Sequence, residues 1–166
     1  MIILRRYFMF RKMRRFRQQL TDEECISILK TEPRGVLALS GDDGYPYALP
    51  ISHYYDEEQH KLYFHGAKEG HMINSIDRSD KVSFCVYDKG FVKEGEWALN
   101  IKSVIVFGRL HKVDDSKKAE DICRKLGNKF YPTPESVEKE IARDFSRVLC
   151  LELDIEHMTG KLVNES

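Results

Sequence analysis

No Cys-x-x-Cys pair occurs in this chain, and its four cysteines (Cys25, Cys85, Cys123 and Cys150) lie far apart in the sequence. That spacing argues against a zinc ribbon or a thioredoxin-like motif and fits a reducing compartment. Cys85 and Cys150 fall inside apolar strand patterns, where small buried thiols are ordinary core residues. Long apolar runs are also missing. The longest core-like stretch is Val104-Ile105-Val106-Phe107, far short of a membrane span. A cytoplasmic protein with no membrane partner is therefore expected. There is no Walker loop, nucleophile elbow or dinucleotide glycine fingerprint, so the kinase, hydrolase and Rossmann readings fall away. His53, His60, His65 and His71 include no helical i, i+4 pair and no nearby Cys or Glu in a ligand arrangement, so no metal site is expected.

What is present fits one domain of 166 residues, 42% hydrophobic and 33% charged. The zero net charge conceals an asymmetry. Residues 1–17 carry seven cations and no acid, whereas the rest carries 20 cations against 27 acids. Two readings of the basic arm stand side by side: a tether for nucleic acid or a membrane surface, or a segment upstream of a true start at Met13. Arginines interrupt its hydrophobic clusters, so it is not a secretory signal. The acidic body argues against nucleic acid as the main partner. The chain divides into a basic extension over 1–16 and a folded domain over 17–166.

Thr21 with Glu24 forms a capping box opening a short amphipathic helix that Pro33 ends. Residues 35–40 read as a strand, Gly41-Asp42-Asp43-Gly44 as a hairpin turn, and 45–55 as the return strand. The prolines of that return strand suit a sheet edge. Lys61 to His65 is the third strand of the meander. A helix over 68–77, strands over 80–87 and 98–113, helices to about Phe130 and Asp144, and a last strand over 147–155 follow, with residues 88–97 a loop. Gly108 marks a bend. The sum is an α+β fold: a six-stranded antiparallel split β-barrel with peripheral helices.

Where Leu62-Tyr63-Phe64-His65 runs through Gly66-Ala67 and Gly70 into a helix, unpaired backbone N–H groups converge and suit a phosphate. Lys68 and His71 flank that point. The neighbouring strand, Ala48 to His53, is flat enough to carry the rest of a nucleotide-like ligand.

Further marks are Met13-Arg14-Arg15, Asp22-Glu23-Glu24, Gly35-x-Leu37-Ala38-Leu39 and Asp43-Gly44-Tyr45-Pro46-Tyr47. Pro50, Ser103-Val104-Ile105-x-x-Gly108 and Thr159-Gly160-Lys161 complete them. In this order and spacing the chain from Met13 onward resembles the pyridoxamine 5′-phosphate oxidase-like, FMN-binding split-barrel superfamily. Within it, the chain looks most like the 5-nitroimidazole resistance (Nim-type) branch. The resemblance implies a homodimer with two FMN molecules at its interface. It places Ala48, Leu49, Pro50, Ile51, Ser52 and His53 along the isoalloxazine and ribityl chain, with Phe64 and His65 beside them. Lys68 and His71 surround the phosphate, and Ser103 contacts the cofactor from the partner subunit or from below. His65 is the catalytic candidate, able to donate to the flavin or protonate a reduced substrate. Two departures stand out: His71 replaces a common Lys or Arg, and Ile101 replaces a frequent Tyr.

The implied activity is an FMN-dependent oxidoreductase that takes electrons from NADH, NADPH or another donor. It would reduce a small-molecule substrate such as a 5-nitroimidazole. Vitamin B6 oxidation is disfavoured, because no arginine-rich substrate-phosphate signature lies near the carboxyl end. The alternative is a protein that holds flavin or haem without turnover.

Overall fold

The computed structural model describes residues 10–131 and 133–164. Most of the basic extension, residues 1–9, lies outside them. The first helix, α1 (Asp22–Thr31), carries the expected capping box: Thr21 Oγ1 accepts the Glu24 N–H at 3.2 Å, and Glu24 Oε2 accepts the Thr21 N–H at 3.0 Å. Cys25, Ile28 and Leu29 line its buried face. A hairpin of β1 (Arg34–Ser40) and β2 (Pro46–Ser52) follows, turned at Asp43 and Gly44, whose φ values are 53° and 79°. Positive φ at both positions is what a tight antiparallel turn needs.

Next come β3 (Tyr54–Asp56), β4 (Lys61–Ala67), α2 (His71–Arg78), β5 (Lys81–Tyr87), β6 (Phe91–Val92) and β7 (Leu99–Lys112). The chain ends with α3 (Ser116–Phe130), α4 (Pro134–Asp144) and β8 (Val148–Asn164). Asp115 and Thr133 cap α3 and α4 through bonds from the Lys118 and Ser136 N–H groups.

The strands pair antiparallel in the order β2-β1-β5-β7-β8-β4-β3, with β6 added to β7, making eight strands rather than six. The expected strand over 45–55 is in fact two. It breaks at His53, and its halves sit at opposite ends of the sheet. Because one residue joins the two ends, the sheet must curl until its edges meet. That is the split barrel. Accordingly β4 pairs with β8, not with β2, so the first strands do not form a simple meander. Pro46 and Pro50 do lie on an edge strand, where a missing N–H costs no ladder bond. Residues 88–97 contain β6, and β8 runs nine residues beyond the expected end at Ile155.

Strand alternation builds two apolar layers. Leu37, Leu39, Phe64, Phe84, Val104, Val106, Leu151 and Leu153 face the barrel interior with Ile28 and Leu29 of α1 and Ile73 and Ile76 of α2. On the outside of β4 and β8, Tyr63 and Cys150 lie under Ala119, Ile122 and Leu126 of α3. A register shift between Phe107 and Gly108 marks the expected bend and reverses the facing of β8 beyond it. A Cβ at Gly108 would collide with the Asp154 carbonyl oxygen, so the bulge requires glycine there. Among the described residues, no helix is long and apolar enough to cross a membrane.

Candidate functional site

Residues 68–71 form the turn from β4 into α2. Gly70 has φ 119°, a left-handed-side conformation that glycine adopts without strain, and no side chain caps the helix. The first intrahelical bond runs from the Asn74 N–H to the Gly70 carbonyl at 3.0 Å. The amides of His71, Met72 and Ile73 therefore precede the helical ladder. Lys68 is exposed and makes no ion pair among the described residues.

His71 is engaged elsewhere. Its ring stacks on Tyr47 at 3.9 Å, and its Nε2 lies 3.5 Å from Asp42 Oδ2. Arg78 also holds that hairpin turn, donating to the Ser40 carbonyl at 2.9 Å, the Gly41 carbonyl at 2.6 Å and Asp42 Oδ1 at 2.5 Å. Together these contacts clamp α2 onto the β1–β2 turn.

On β2, Tyr47, Leu49 and Ile51 pack against the interior core, while Ala48, Pro50 and Ser52 alternate outward. Leu49 and Ile51 thus offer a ligand their backbone rather than their side chains. Phe64 is fully buried, edge-on to Phe84 at a 5.1 Å centroid distance. His53 is also fully buried. Its Nε2–H donates to the Leu29 carbonyl at 2.8 Å, its ring meets Phe84 edge-on, and its Nδ1 has no partner. Burial, aided by the charge of Lys129, lowers its pKa to about 4. His53 and Phe64 are core residues here and present no side-chain surface to a ligand, because strand parity turns them inward.

His65 has the opposite parity to Phe64. It is exposed and lines a cleft of about 430 Å³ between the sheet and the α3–α4 pair. Leu126, Phe130, Val137, Ile141 and Val148 give the cleft apolar walls, and Arg34, Ser52, Glu140 and Asp144 add polar points. Desolvation by the surrounding protein lowers the His65 pKa, which favours a neutral ring at physiological pH. Ser103 lies elsewhere, on the outer side of β7 opposite Tyr87 and Lys161. The fold therefore gathers Ser52 and His65 at one cleft, and Lys68 and His71 at the start of α2.

Two features have no local signature in the sequence. Lys129 Nζ donates to the carbonyls of Glu32 at 2.7 Å and His53 at 3.0 Å, tying α3 across the barrel seam. Burial lowers its pKa to about 8. Cys123 and Cys150, separated by 27 positions, bring their sulfurs to 3.4 Å. A helical period at 119–126 and an apolar strand at 148–153 are visible in the sequence, but their register against each other is a tertiary property. Among the described residues, no three His, Cys, Asp or Glu side chains converge as a metal set.

This fold is a split barrel, an antiparallel sheet curled until its edges meet, with helices packed on it. The sequence profile described as pyridoxamine 5′-phosphate oxidase matches residues 21–162, and the chain belongs to that family. No curated protein matches it. Its structure is similar to that of a Bacteroides thetaiotaomicron protein assigned to 5-nitroimidazole antibiotic resistance. The TM-score is 0.72 at 16% identity over 88% of this chain and 87% of that one. A FAD-binding protein of Mesorhizobium loti gives 0.63 at 23% identity over 88% and 97%. A FAD- and heme-binding protein of Mycobacterium smegmatis gives 0.70 at 22% identity over 87% and 73%.

Proposed function

We propose that this chain is a homodimeric, FMN-dependent oxidoreductase acting on a small, flat, electron-poor substrate such as a nitroaromatic. The observation that carries the reading is the uncapped start of α2. Three backbone amides precede its ladder, a free Lys68 stands beside them, and no group lies within 4 Å of where a Gly70 Cβ would point. A phosphate monoester fits that donor set through helix-terminal N–H groups and one mobile cation. His71 contributes less than a lysine would, since Asp42 shares its imidazole. The small outward residues Ala48 and Pro50 leave room beside β2 for a planar ring system. The flavin-binding and heme-binding relatives support a redox cofactor, and membership of the oxidase family supports FMN among them.

Bound flavin would supply electron transfer to the substrate. The chain's own residues would bind, orient and keep water away. The amides at the start of α2 and Lys68 hold the phosphate. The apolar walls of Leu126, Phe130 and Ile141 exclude water from the cleft. A neutral His65 offers one ring N–H and one lone pair at its mouth, able to hold a proton near the reacting group. The second copy covers the outer faces of β1, β5 and β7, where Ile105 and Phe107 are 40% and 39% exposed beside the small residues Ala38 and Cys85. NADH or NADPH is the proposed electron donor.

Aerobic purification and a spectrum test this reading. Flavin bands near about 370 and 450 nm, with a chromophore released as FMN on denaturation, are the expected result. A Soret band near about 400 nm would move the protein to the haem-holding class. Reduction of a 5-nitroimidazole by NADH or NADPH should depend on FMN, and His65→Ala should lower kcat more than it changes FMN affinity. A flavin that neither donor bleaches would instead make this a binding protein without turnover.

A further inference from the structure

The cleft that holds His65 also holds a thiol. Cys123, on α3, is partly exposed and lines the cleft, and its sulfur stands 3.4 Å from that of buried Cys150 on β8. Cys150 is the register partner of His65 across the β4–β8 ladder, so sulfur pair and imidazole belong to one corner of the fold. The two thiols differ in access. Cys123 meets solvent through the cleft, whereas Cys150 is 1% exposed, with its sulfur 3.3 Å from the Ala119 carbonyl. An accessible sulfur backed by a buried one is the arrangement of an attacking thiol and a resolving thiol.

We propose that Cys123 and Cys150 form a reversible, peroxide-driven disulfide that ties α3 to β8 at the wall of the His65 cleft. In the first step the Cys123 thiolate attacks one oxygen of a hydroperoxide. The O–O bond breaks, and the leaving hydroxide takes a proton, giving a sulfenic acid and water. In the second step the Cys150 sulfur attacks the sulfenic sulfur. The S–O bond breaks, the S–S bond forms, and the departing hydroxide leaves as water with the Cys150 proton. Two thiols and one hydrogen peroxide thus become one disulfide and two waters.

The electrostatics favour this order of events. Cys150 S–H, donating to an ionised Cys123, lowers the Cys123 pKa, and the same bond raises that of Cys150. Burial raises the pKa of the other two thiols, Cys25 to about 11; Cys25 is a core group, and half-buried Cys85 on the outer face of β5 is held in its unreactive protonated form. Closing the bond requires the sulfurs to approach by little more than 1 Å, from 3.4 Å to a bonded length of about 2.05 Å. A sulfur already touching its partner resolves the sulfenic acid before a second peroxide arrives.

The test uses the full-length protein with limiting hydrogen peroxide, alkylation of remaining thiols and intact mass. The expected product is lighter by about 2 Da before alkylation, takes up two labels where the reduced protein takes four, and reverts with dithiothreitol. A tryptic map should then join the peptide of residues 119–124 to that of residues 148–161. Cys150→Ser should stall as a sulfenic acid on Cys123 that dimedone captures. Cys123→Ser should slow thiol oxidation at least about tenfold. Linkage through Cys25 or Cys85, an unchanged mass, or a gain of about 32 Da as peroxide takes Cys123 to the sulfinic acid, would overturn the proposal. None of these readouts needs bound flavin, so failure here leaves the cofactor reading standing, and the converse also holds.

Discussion

The outer surface of the curled sheet is treated in two opposite ways. Over β4 and the first half of β8, α3 lays Ile122 and Leu126 onto Tyr63 and Cys150, and a cleft remains only at the edge where His65 emerges. Over β1, β5 and β7 no helix among the described residues lies on the outer side of the sheet; Phe10 meets Phe107 there at a 5.6 Å centroid distance, and Ile105 and Phe107 stay 40% and 39% exposed. The difference shows how one sheet can serve two purposes. The covered part fixes side chains around a small pocket. The bare part sets large apolar Ile105 and Phe107 beside small Ala38, Ser83 and Cys85, a surface that suits the proposed contact with a second copy.

Breaking the covered part should cost most. Ile122, on the buried face of α3, is 1% exposed and shares the outer apolar cluster with Tyr63 and Cys150. Its replacement by Ala should lower unfolding free energy by about 2–5 kcal/mol, read from denaturant midpoints. The same change on the bare side, Ile105→Ala, should cost well under half as much. Measured at dilutions where the chain is monomeric, equal losses at the two sites would mean that another part of the same chain covers the bare face.

The next effect concerns the seam that joins the two regions. His53 is neutral in the fold, with a pKa lowered to about 4 by burial first and by Lys129 second. The unfolded chain binds that proton at about 6.5, so between these values the unfolded state holds more protons. Stability contributed by a neutral His53 is therefore complete above about pH 6.5, falls as pH drops, and is fully lost below about 4. The whole swing is up to about 3 kcal/mol. His53→Gln keeps a donor for the Leu29 carbonyl but cannot titrate. Unfolding measured from pH 7 to 4 should show a shallower slope in the variant than in the parent.

His53 and His65 also mark where reading the sequence stops. Alternation along β4 separates Phe64 from His65, and the capping residues Thr21, Asp115 and Thr133 fix the helix starts, because these are local properties. The edge position of β2 follows from Pro46 and Pro50 for the same reason. The break at His53 does not. Nothing within the run 45–55 says that Tyr54 and Tyr55 will join the far end of the sheet, since that outcome depends on the length of β8 and on the Phe107/Gly108 bulge. The burial of His53 itself is local, because the inward parity of Tyr47, Leu49 and Ile51 carries on through His53 to Tyr55, and only the change of sheet edge is set by the tertiary closure. The Cys123–Cys150 contact is hidden likewise, because it depends on how α3 is rotated over β8.

On the bare part, Ile105→Glu should weaken self-association by at least about tenfold, or about 1.4 kcal/mol, because a two-fold contact would place the new charges close to one another. Light scattering across a dilution series reads this directly. A dimer unchanged in stability would move the interface off this face while leaving the fold intact.

The smallest effect sharpens the comparison most, because it sits where covered and bare parts meet. Lys68 is exposed and makes no ion pair among the described residues, so its removal should leave unfolding free energy within about 0.5 kcal/mol. If the start of α2 holds a phosphate, Lys68→Ala should still weaken FMN binding by about 1 kcal/mol, roughly fivefold. Riboflavin, which lacks the phosphate, should bind the parent and the variant equally. The loss should also shrink as salt rises, since a mobile surface cation acts through a screened field. Fluorescence quenching of the two flavins at low and high salt separates the outcomes. Equal losses for FMN and riboflavin would mean that Lys68 shapes the ring site, and the phosphate would then have to be held elsewhere.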